Sequence, residues 1–296
     1  MKPLSLALSI EWDDCTVALA GEHPLTGSAY PPLESSARIL LGSDGGAQAS
    51  RHALTLLHQA LEQAGQSLAA VERFYVNVGP GAFTSLRVAV GLIQGLALPR
   101  ARPVGAVGSL QALAATVPDW RFPLDEVRHA PAHPAQADDT KTGQAPWLLC
   151  SALDARLGEC YYGAFLCQAG HWPRTVLPVS VGPATQAATA FEALRQQQQA
   201  DSAPCAIHLA GNGFAEPFEA LRAWAMEVGQ DAILAAQRRP TASAVLALAD
   251  TLGAPALLPA RDLRPEYVRQ QVALDRDQQR MLAATRQSGA PRRRGS

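Results

Sequence analysis

The most constraining stretch of this sequence is VNVGPGAFTSLRVAVGLIQGLAL, residues 76–98. Strand-forming residues run into a Gly-Pro-Gly turn, and the helix that follows has almost no polar side. Gly79 and Gly81 flank Pro80, so the backbone turns sharply where a side chain would clash. A strand, a tight glycine turn and a helix in that order point the first helical amides back at the strand end. That arrangement binds an anion without any charged side chain, which makes Gly79, Gly81, Ala82 and Phe83 a candidate anion or nucleotide site, of vestigial character. A phosphate loop proper needs a Lys and a hydroxyl residue after its last glycine. Phe83, Thr84 and Ser85 stand there instead, and the spacing is not GxGxxG.

The helix carries a second message. Val88, Ala89, Val90, Leu92, Ile93, Leu96, Ala97 and Leu98 surround it, with only Arg87 and Gln94 strongly polar. One apolar stripe suffices to dock a helix on a sheet. Apolar groups on opposite sides fit either a helix buried in its own domain or one with a sheet on one side and a partner protein on the other. Gly91 and Gly95, four apart, make a smooth strip on which a second helix can lie closely.

Around this stretch the pattern reads as two similar halves. Three strand candidates open the chain: LSLALSI, CTVALAG, and SARILLG ending near Gly42. An amphipathic helix, SRHALTLLHQALEQAG, follows with apolar residues at 53, 54, 56, 57, 60 and 61, and Gly65 is its natural stop. RFYVNVG reads as a buried strand, Pro103–Val107 as another, and Ser109 as the N-cap of a further helix. Three antiparallel strands followed by alternating helix and strand is the order of a ribonuclease-H-like half-domain, which the actin-like ATPase superfamily duplicates. The second half repeats it: strands in APWLLCSALDA, ECYYGAFLCQAG and RTVLPVSV, a helix at 184–199, the strand CAIHLAG, and helices near 214–227 and 241–252. The fold expected is therefore α/β, with two ribonuclease-H-like half-domains, each a mixed sheet flanked by helices. The first spans 1–117 and the second 147–274, with a Pro-rich flexible insertion at 118–146 and a disordered basic tail at 275–296.

Composition removes several function classes. With 25 basic and 26 acidic residues, net charge does not mark a nucleic-acid binder. The only lysines are Lys2 and Lys141, which takes away most candidates for gripping phosphate. No apolar run approaches the ~20 residues of a membrane span, and the apolar start reads as a core strand and not a leader. Five cysteines without CxxC spacing, Cys15, Cys150, Cys160, Cys167 and Cys205, read as buried thiols of a reducing, cytoplasmic compartment. Asp154 and Glu159 bracket the turn DARLGE, where a turn carboxylate paired with Arg156 explains them better than an acid–base pair. GxSxG and HExxH are both absent from the sequence.

Three motifs carry a family resemblance. GPGAFTSLRVAVGLIQGLAL followed by PVGAVGSLQALA, then ALDARLGECYYGAF, then LRPEYVRQQVA, resemble in order the motifs of the TsaB (YeaZ) proteins of bacterial tRNA threonylcarbamoyladenosine synthesis. The likeness runs from the first strand to about Ala273. TsaB proteins are similar in fold to TsaD, the catalytic subunit, whose PLIGVNHLEGH motif supplies two metal-binding histidines. Ser109 and Leu113 stand at those places, and neither side chain replaces an imidazole. Most TsaB proteins start with Asp-Thr-Ala/Ser after the first strand. This chain has SIEW, with Ser9 and Ile10 there and Glu11 and Trp12 beyond, and it has Ser50 where many carry a histidine.

The resemblance implies a non-catalytic scaffold subunit with no metal and no cofactor of its own, save a nucleotide at the seam with TsaD. The implied assembly transfers a threonylcarbamoyl group to N6 of adenosine 37 in tRNAs reading ANN codons, with the ATPase TsaE joining it and tRNA bound through the complex. The implied partner surface is Phe83, Thr84, Arg87, Val88, Gly91, Leu92 and Gly95, with Leu54, Leu57 and Leu61 of the preceding helix. Alone, the same surface would form a homodimer. A stand-alone nucleotide-binding enzyme of the actin-like kinase superfamily is the alternative.

Overall fold

The computed structural model describes residues 3–11, 14–21, 33–38, 45–117, 146–168, 171–200, 205–228, 238–251 and 257–269. The expected insertion (residue 146 apart), the basic tail and Trp12 lie outside them.

The first half opens with β1 (Ser5–Glu11) antiparallel to β2 (Asp14–Ala20), which pairs in turn with β3 (Leu33–Arg38). The described part of the third strand takes in Ser36–Arg38 of SARILLG and begins three residues before it. Within the described residues Asp14, the first residue of β2, pairs with Arg38, and the Ile-Leu-Leu run lies outside them. Helix α1 (Gly45–Gln63) follows and starts ahead of the Ser50 expected. It stops at Gly65 as expected: Gly65 has φ of 60°, its N–H donates to Glu62, and the Gln66 N–H donates to Leu61. That is the Schellman pattern, which satisfies the last helical carbonyls.

β4 (Arg73–Gly79) then lies parallel to β1, helix α2 (Phe83–Ala97) follows the glycine turn, and β5 (Pro103–Gly108) lies parallel to β4. The short helix α3 (Ser109–Ala112) ends this half. β1 and β4 are buried on both faces, which is why they read as near-continuous apolar runs and not as alternation.

In the second half β6 (Trp147–Arg156), β7 (Glu159–Cys167) and β8 (Arg174–Pro183) form an antiparallel meander. Leu157 and Gly158, with φ of 57° and 79°, make the two-residue hairpin between β6 and β7. Helix α4 (Ala184–Ala200), strand β9 (Ala206–Ala210) parallel to β6, and helix α5 (Glu219–Val228) complete it. Each half is thus a ribonuclease-H-like mixed sheet with helices.

The end of the chain departs from the expected division. Helix α6 (Ala242–Thr251), assigned with the second half, packs on β1, β2 and β4 of the first. β10 (Leu258–Pro259) then adds an antiparallel edge to β5, giving the sheet order β10-β5-β4-β1-β2-β3. The reason is packing: a helix as apolar as ASAVLALADT needs cover on more than one side. Ala242, Val245, Leu246, Leu248 and Ala249 find it in a core shared by the two halves, with Leu110, Leu113, Leu149 and Phe165. A second core lies between the first sheet and α1 and α2, around Leu6, Ile10, Phe74 and Ile93. A third lies beneath α4 and α5, where Phe191 stacks on Phe214 and Trp224. No helix among the described residues is long and apolar enough to cross a membrane.

Candidate functional site

The glycines of the turn after β4 make room for the chain itself. Gly79 sits at φ of 117°, and a Cβ there would lie 2.8 Å from the Glu266 carbonyl oxygen and from Leu86 Cδ1. The Glu266 N–H donates to the Val78 carbonyl at 2.8 Å, so the segment after β10 is laid along the turn. At Gly81 a Cβ would stand 3.4 Å from both carboxyl oxygens of Glu11. The sharp turn needed for an anion is present, and a carboxyl of this chain backs it.

Glu11, the last residue of β1, is 5% exposed. Its Oε1 accepts from Asn77 Nδ2 at 2.8 Å and lies 2.7 Å from Ser109 Oγ. Ser109 Oγ is also 2.7 Å from Asn77 Oδ1, which accepts the Gly79 N–H at 3.0 Å. Burial raises the Glu11 carboxyl to about 7, against the opposing hydrogen bonds from Ser109 and Asn77 and the charge of Arg239. Ser109 is therefore no N-cap. Gly108 holds that position, and the Ser109 hydroxyl is spent on the ends of β1 and β4.

Beside the turn opens a cleft of about 330 Å³ that brings the three sequence motifs together. Pro80–Ser85 supply one wall; Ala155, Arg156 and Tyr161 of the β6–β7 hairpin another; Glu266–Arg269 the third. Ala82, the N-cap of α2, gives no side-chain cap, and it lines this space with the first residues of the helix. Most of the charges are engaged. Arg269 pairs with Glu159. Asp154 accepts the Arg156 N–H at 2.7 Å and meets its guanidinium at 3.5 Å, which is the turn role expected of it. The Arg87 guanidinium lies 3.9 Å over the Phe83 ring and donates to the Tyr267 hydroxyl at 2.9 Å, with the two rings 5.0 Å apart. Arg87 and Phe83, both expected to reach a partner, are thus tied to the chain's own C-terminal segment. Tyr267 and Arg269 escaped sequence reasoning as site residues, although they sit in the third motif.

α2 has two faces. Ser85, Leu86, Ala89, Val90, Ile93 and Ala97 are buried against the sheet. Thr84, Arg87, Gly91, Gly95 and Leu98 are exposed on the opposite side, with Val88 and Leu92 half-buried at its edges. A side chain added at Gly91 or Gly95 would meet nothing within 4 Å. Of the expected α1 contributors, Leu54 is 45% exposed, but Leu57 and Leu61, at 9% and 5%, belong to the core beneath α1. They are corrected from surface to core.

Comparison with known proteins fits this geometry. The family model "TsaD: tRNA N6-adenosine threonylcarbamoyltransferase" matches residues 46–119, from α1 through α3. The tRNA threonylcarbamoyladenosine biosynthesis protein TsaB of Escherichia coli (strain K12) is 28% identical over 161 residues, which span 54% of each chain. The alignment thus reaches only about half the length of that relative. A solved structure of an uncharacterized Pseudomonas aeruginosa protein, described as similar to peptidase YeaZ, is 26% identical. It superposes with a TM-score of 0.61 over 90% of this chain and all of its own. YeaZ from Pseudomonas aeruginosa gives 25% identity and a TM-score of 0.56, over 90% of this chain and 99% of its own. In sequence and in fold the chain resembles the TsaB/YeaZ proteins.

The two positions that the resemblance sets against the TsaD histidines serve the fold here. Ser109 joins the Glu11 cluster, and Leu113 is fully buried between the halves. His58 pairs with Glu62 one turn along α1, at 3.2 Å. No group of three or more His, Cys, Asp or Glu residues suited to a metal occurs among the described residues. Cys15, Cys150, Cys160 and Cys167 are buried thiols outside any disulfide, and Cys205 is half-buried, its Sγ 3.1 Å from Gln198 Oε1. Burial pushes Cys15 and Cys160 up to about 12, and Cys150 and Cys167 upward as well.

Proposed function

We propose that this chain acts in tRNA threonylcarbamoyladenosine biosynthesis as a non-catalytic scaffold that pairs with TsaD. The observation that carries this is the uncovered outer face of α2. A helix needs one buried stripe to stay docked, and α2 has it in Leu86, Ala89, Val90 and Ile93. On the opposite side Gly91 and Gly95 leave the backbone bare between Thr84 and Leu98. Paired glycines one turn apart destabilise an exposed helix by up to ~1 kcal/mol each relative to alanine. They suit a surface where a second backbone must come close. A sibling fold presents an equivalent helix, so TsaD is the partner whose shape matches, and a second copy of this chain is the occupant when TsaD is lacking. TsaE joins the paired subunits, and tRNA is bound through the assembly.

A scaffold role also fits the closed condition of the glycine turn. The carbonyl of Glu266 lies against Gly79 and the carboxyl of Glu11 against Gly81, and an acidic group backing the turn disfavours a phosphate there, which supports a chain with no nucleotide of its own. Isothermal titration with ATP and ADP tests this half of the reading: micromolar binding with hydrolysis by the purified chain would overturn it in favour of a stand-alone enzyme. The docking half is tested by Gly91→Arg. The open space at Gly91 predicts a folded chain that no longer co-purifies with TsaD from the same organism. Unchanged co-purification would remove α2 from the interface.

A further inference from the structure

The polar cluster at the ends of β1 and β4 poses a hydrogen-counting problem. Ser109 Oγ has one hydrogen, yet it lies 2.7 Å from two acceptors, Glu11 Oε1 and Asn77 Oδ1. The orientation of the Asn77 amide is fixed from both sides. Its oxygen accepts the Gly79 N–H at 3.0 Å, and its nitrogen donates to Ser9 Oγ at 3.0 Å and to Glu11 Oε1 at 2.8 Å. Ser9 in turn spends its hydroxyl hydrogen on the Pro240 carbonyl at 2.5 Å. If Glu11 were a carboxylate, the Ser109 hydrogen would serve one acceptor and leave the other pressed lone pair against lone pair, at a place where all three side chains are buried. One additional hydrogen, on Glu11 Oε1, resolves every contact. Glu11 then donates to Ser109, Ser109 to Asn77, and Asn77 back to Glu11, a closed ring in which each member donates once and accepts at least once.

We propose that Glu11, Ser109 and Asn77 form a proton-dependent latch, closed while the Glu11 carboxyl carries its hydrogen and loosened when that hydrogen is lost. The ring joins three places in the fold. Glu11 ends β1 and backs the glycine turn at Gly81. Asn77 holds the Gly79 amide, and with it the root of α2. Ser109 starts α3, whose next residues enter the core between the halves. Through Ser9 and Pro240 the same cluster reaches the segment leading into α6.

The charged and titratable groups that act on this carboxyl, among the described residues, are few. Arg239 approaches from the segment before α6 and favours the charged form, but it is paired with Asp14 at 3.2 Å. Asp14, from β2, disfavours the charged form, and Tyr161 of β7 feels the Glu11 charge in return. β4, the glycine turn and α3 contribute neutral groups only. The loss of the hydrogen is a simple ionisation to solvent, and the isolated chain suffices to show it, so the latch stands or falls separately from the docking surface.

The test is a carbon-13 titration of the full chain labelled at glutamate side chains, with the Glu11 resonance assigned by Glu11→Gln. The latch predicts that the Glu11 carboxyl titrates near neutral pH. It also predicts that amide exchange at Gly79 and residues 105–112 speeds up between about pH 6 and 8 by more than the intrinsic base-catalysed rise, and that Glu11→Gln abolishes this excess. A Glu11 midpoint at the ordinary 4.5, or exchange that follows the intrinsic rate alone in the wild-type chain, would overturn it. Should Glu11→Gln fail to fold, the wild-type titration decides, with the resonance assigned through its contact to the Asn77 side-chain amide.

Discussion

Replacing Glu11 by glutamine gives a prediction whose size follows from the structure. In the folded chain the carboxyl is 5% exposed, and burial raises it from the ordinary 4.5 to about 7. The folded state therefore holds a proton that the unfolded state releases between those two values. Where the folded state binds more protons, stability falls as pH rises. The contribution is fully present below 4.5, declines by about 1.4 kcal/mol per pH unit, and is lost above pH 7, a total of about 3 kcal/mol. For a domain of ordinary stability that is a large share, since the whole is typically ~5–15 kcal/mol. Glutamine has the same shape but does not titrate. It also cannot donate and accept at the single atom that Oε1 provides, so its absolute stability will differ from the wild type while its pH slope through this site is zero. Urea unfolding of both proteins at pH 5, 6, 7 and 8, at one ionic strength, gives a difference curve from which all shared histidines and carboxylates cancel. The expected curve shows the wild type losing ground steadily to Glu11→Gln up to about pH 7 and then levelling. A flat difference, or one that favours the wild type at high pH, would refute the burial argument.

Other consequences follow from packing and exposure. In the native chain a bulky thiol reagent should modify Cys205 alone at an appreciable rate, the other four thiols reacting only after unfolding, because they are buried and their thiolates are disfavoured. Gly211→Ala should abolish soluble expression or cost more than ~4 kcal/mol, since φ is 109° and the added Cβ would lie 2.1 Å from the Ala152 carbonyl oxygen. Ile93→Ala, on the inner face of α2, should cost ~2–5 kcal/mol in urea unfolding. Leu98→Ala, at 52% exposure, should change stability by no more than about 0.5 kcal/mol while weakening association with TsaD.

What the sequence reveals and what it conceals divide along physical lines. Backbone signals were legible: the glycine turn, the helix that follows it and the Gly65 stop depend on residues a few positions apart, and the structure has each of them. Stripe membership was legible on α1, but not its inner limit. Residues 53, 56, 57, 60, 61 and 64 all turned inward, so of the three leucines expected at the surface only Leu54 remains there. Pairings across long sequence distances were not legible. Nothing near Ser109 indicates that its hydroxyl meets Glu11, 98 positions away, and not its own helix. Likewise α6 reads as an apolar helix with no label saying which sheet it covers. The cleft was half legible: its three walls are the three motifs, whose convergence only the fold makes evident.

Hydrogen exchange on the chain with and without TsaD from the same organism would locate the contact surface directly. If α2 is the docking helix, amides of residues 83–98 gain protection on mixing, and Gly91→Arg removes the gain while α4 stays unchanged in both. Protection confined to α4, α5 or the cleft, with residues 83–98 exchanging as in the free chain, would show that the uncovered glycine face serves something else.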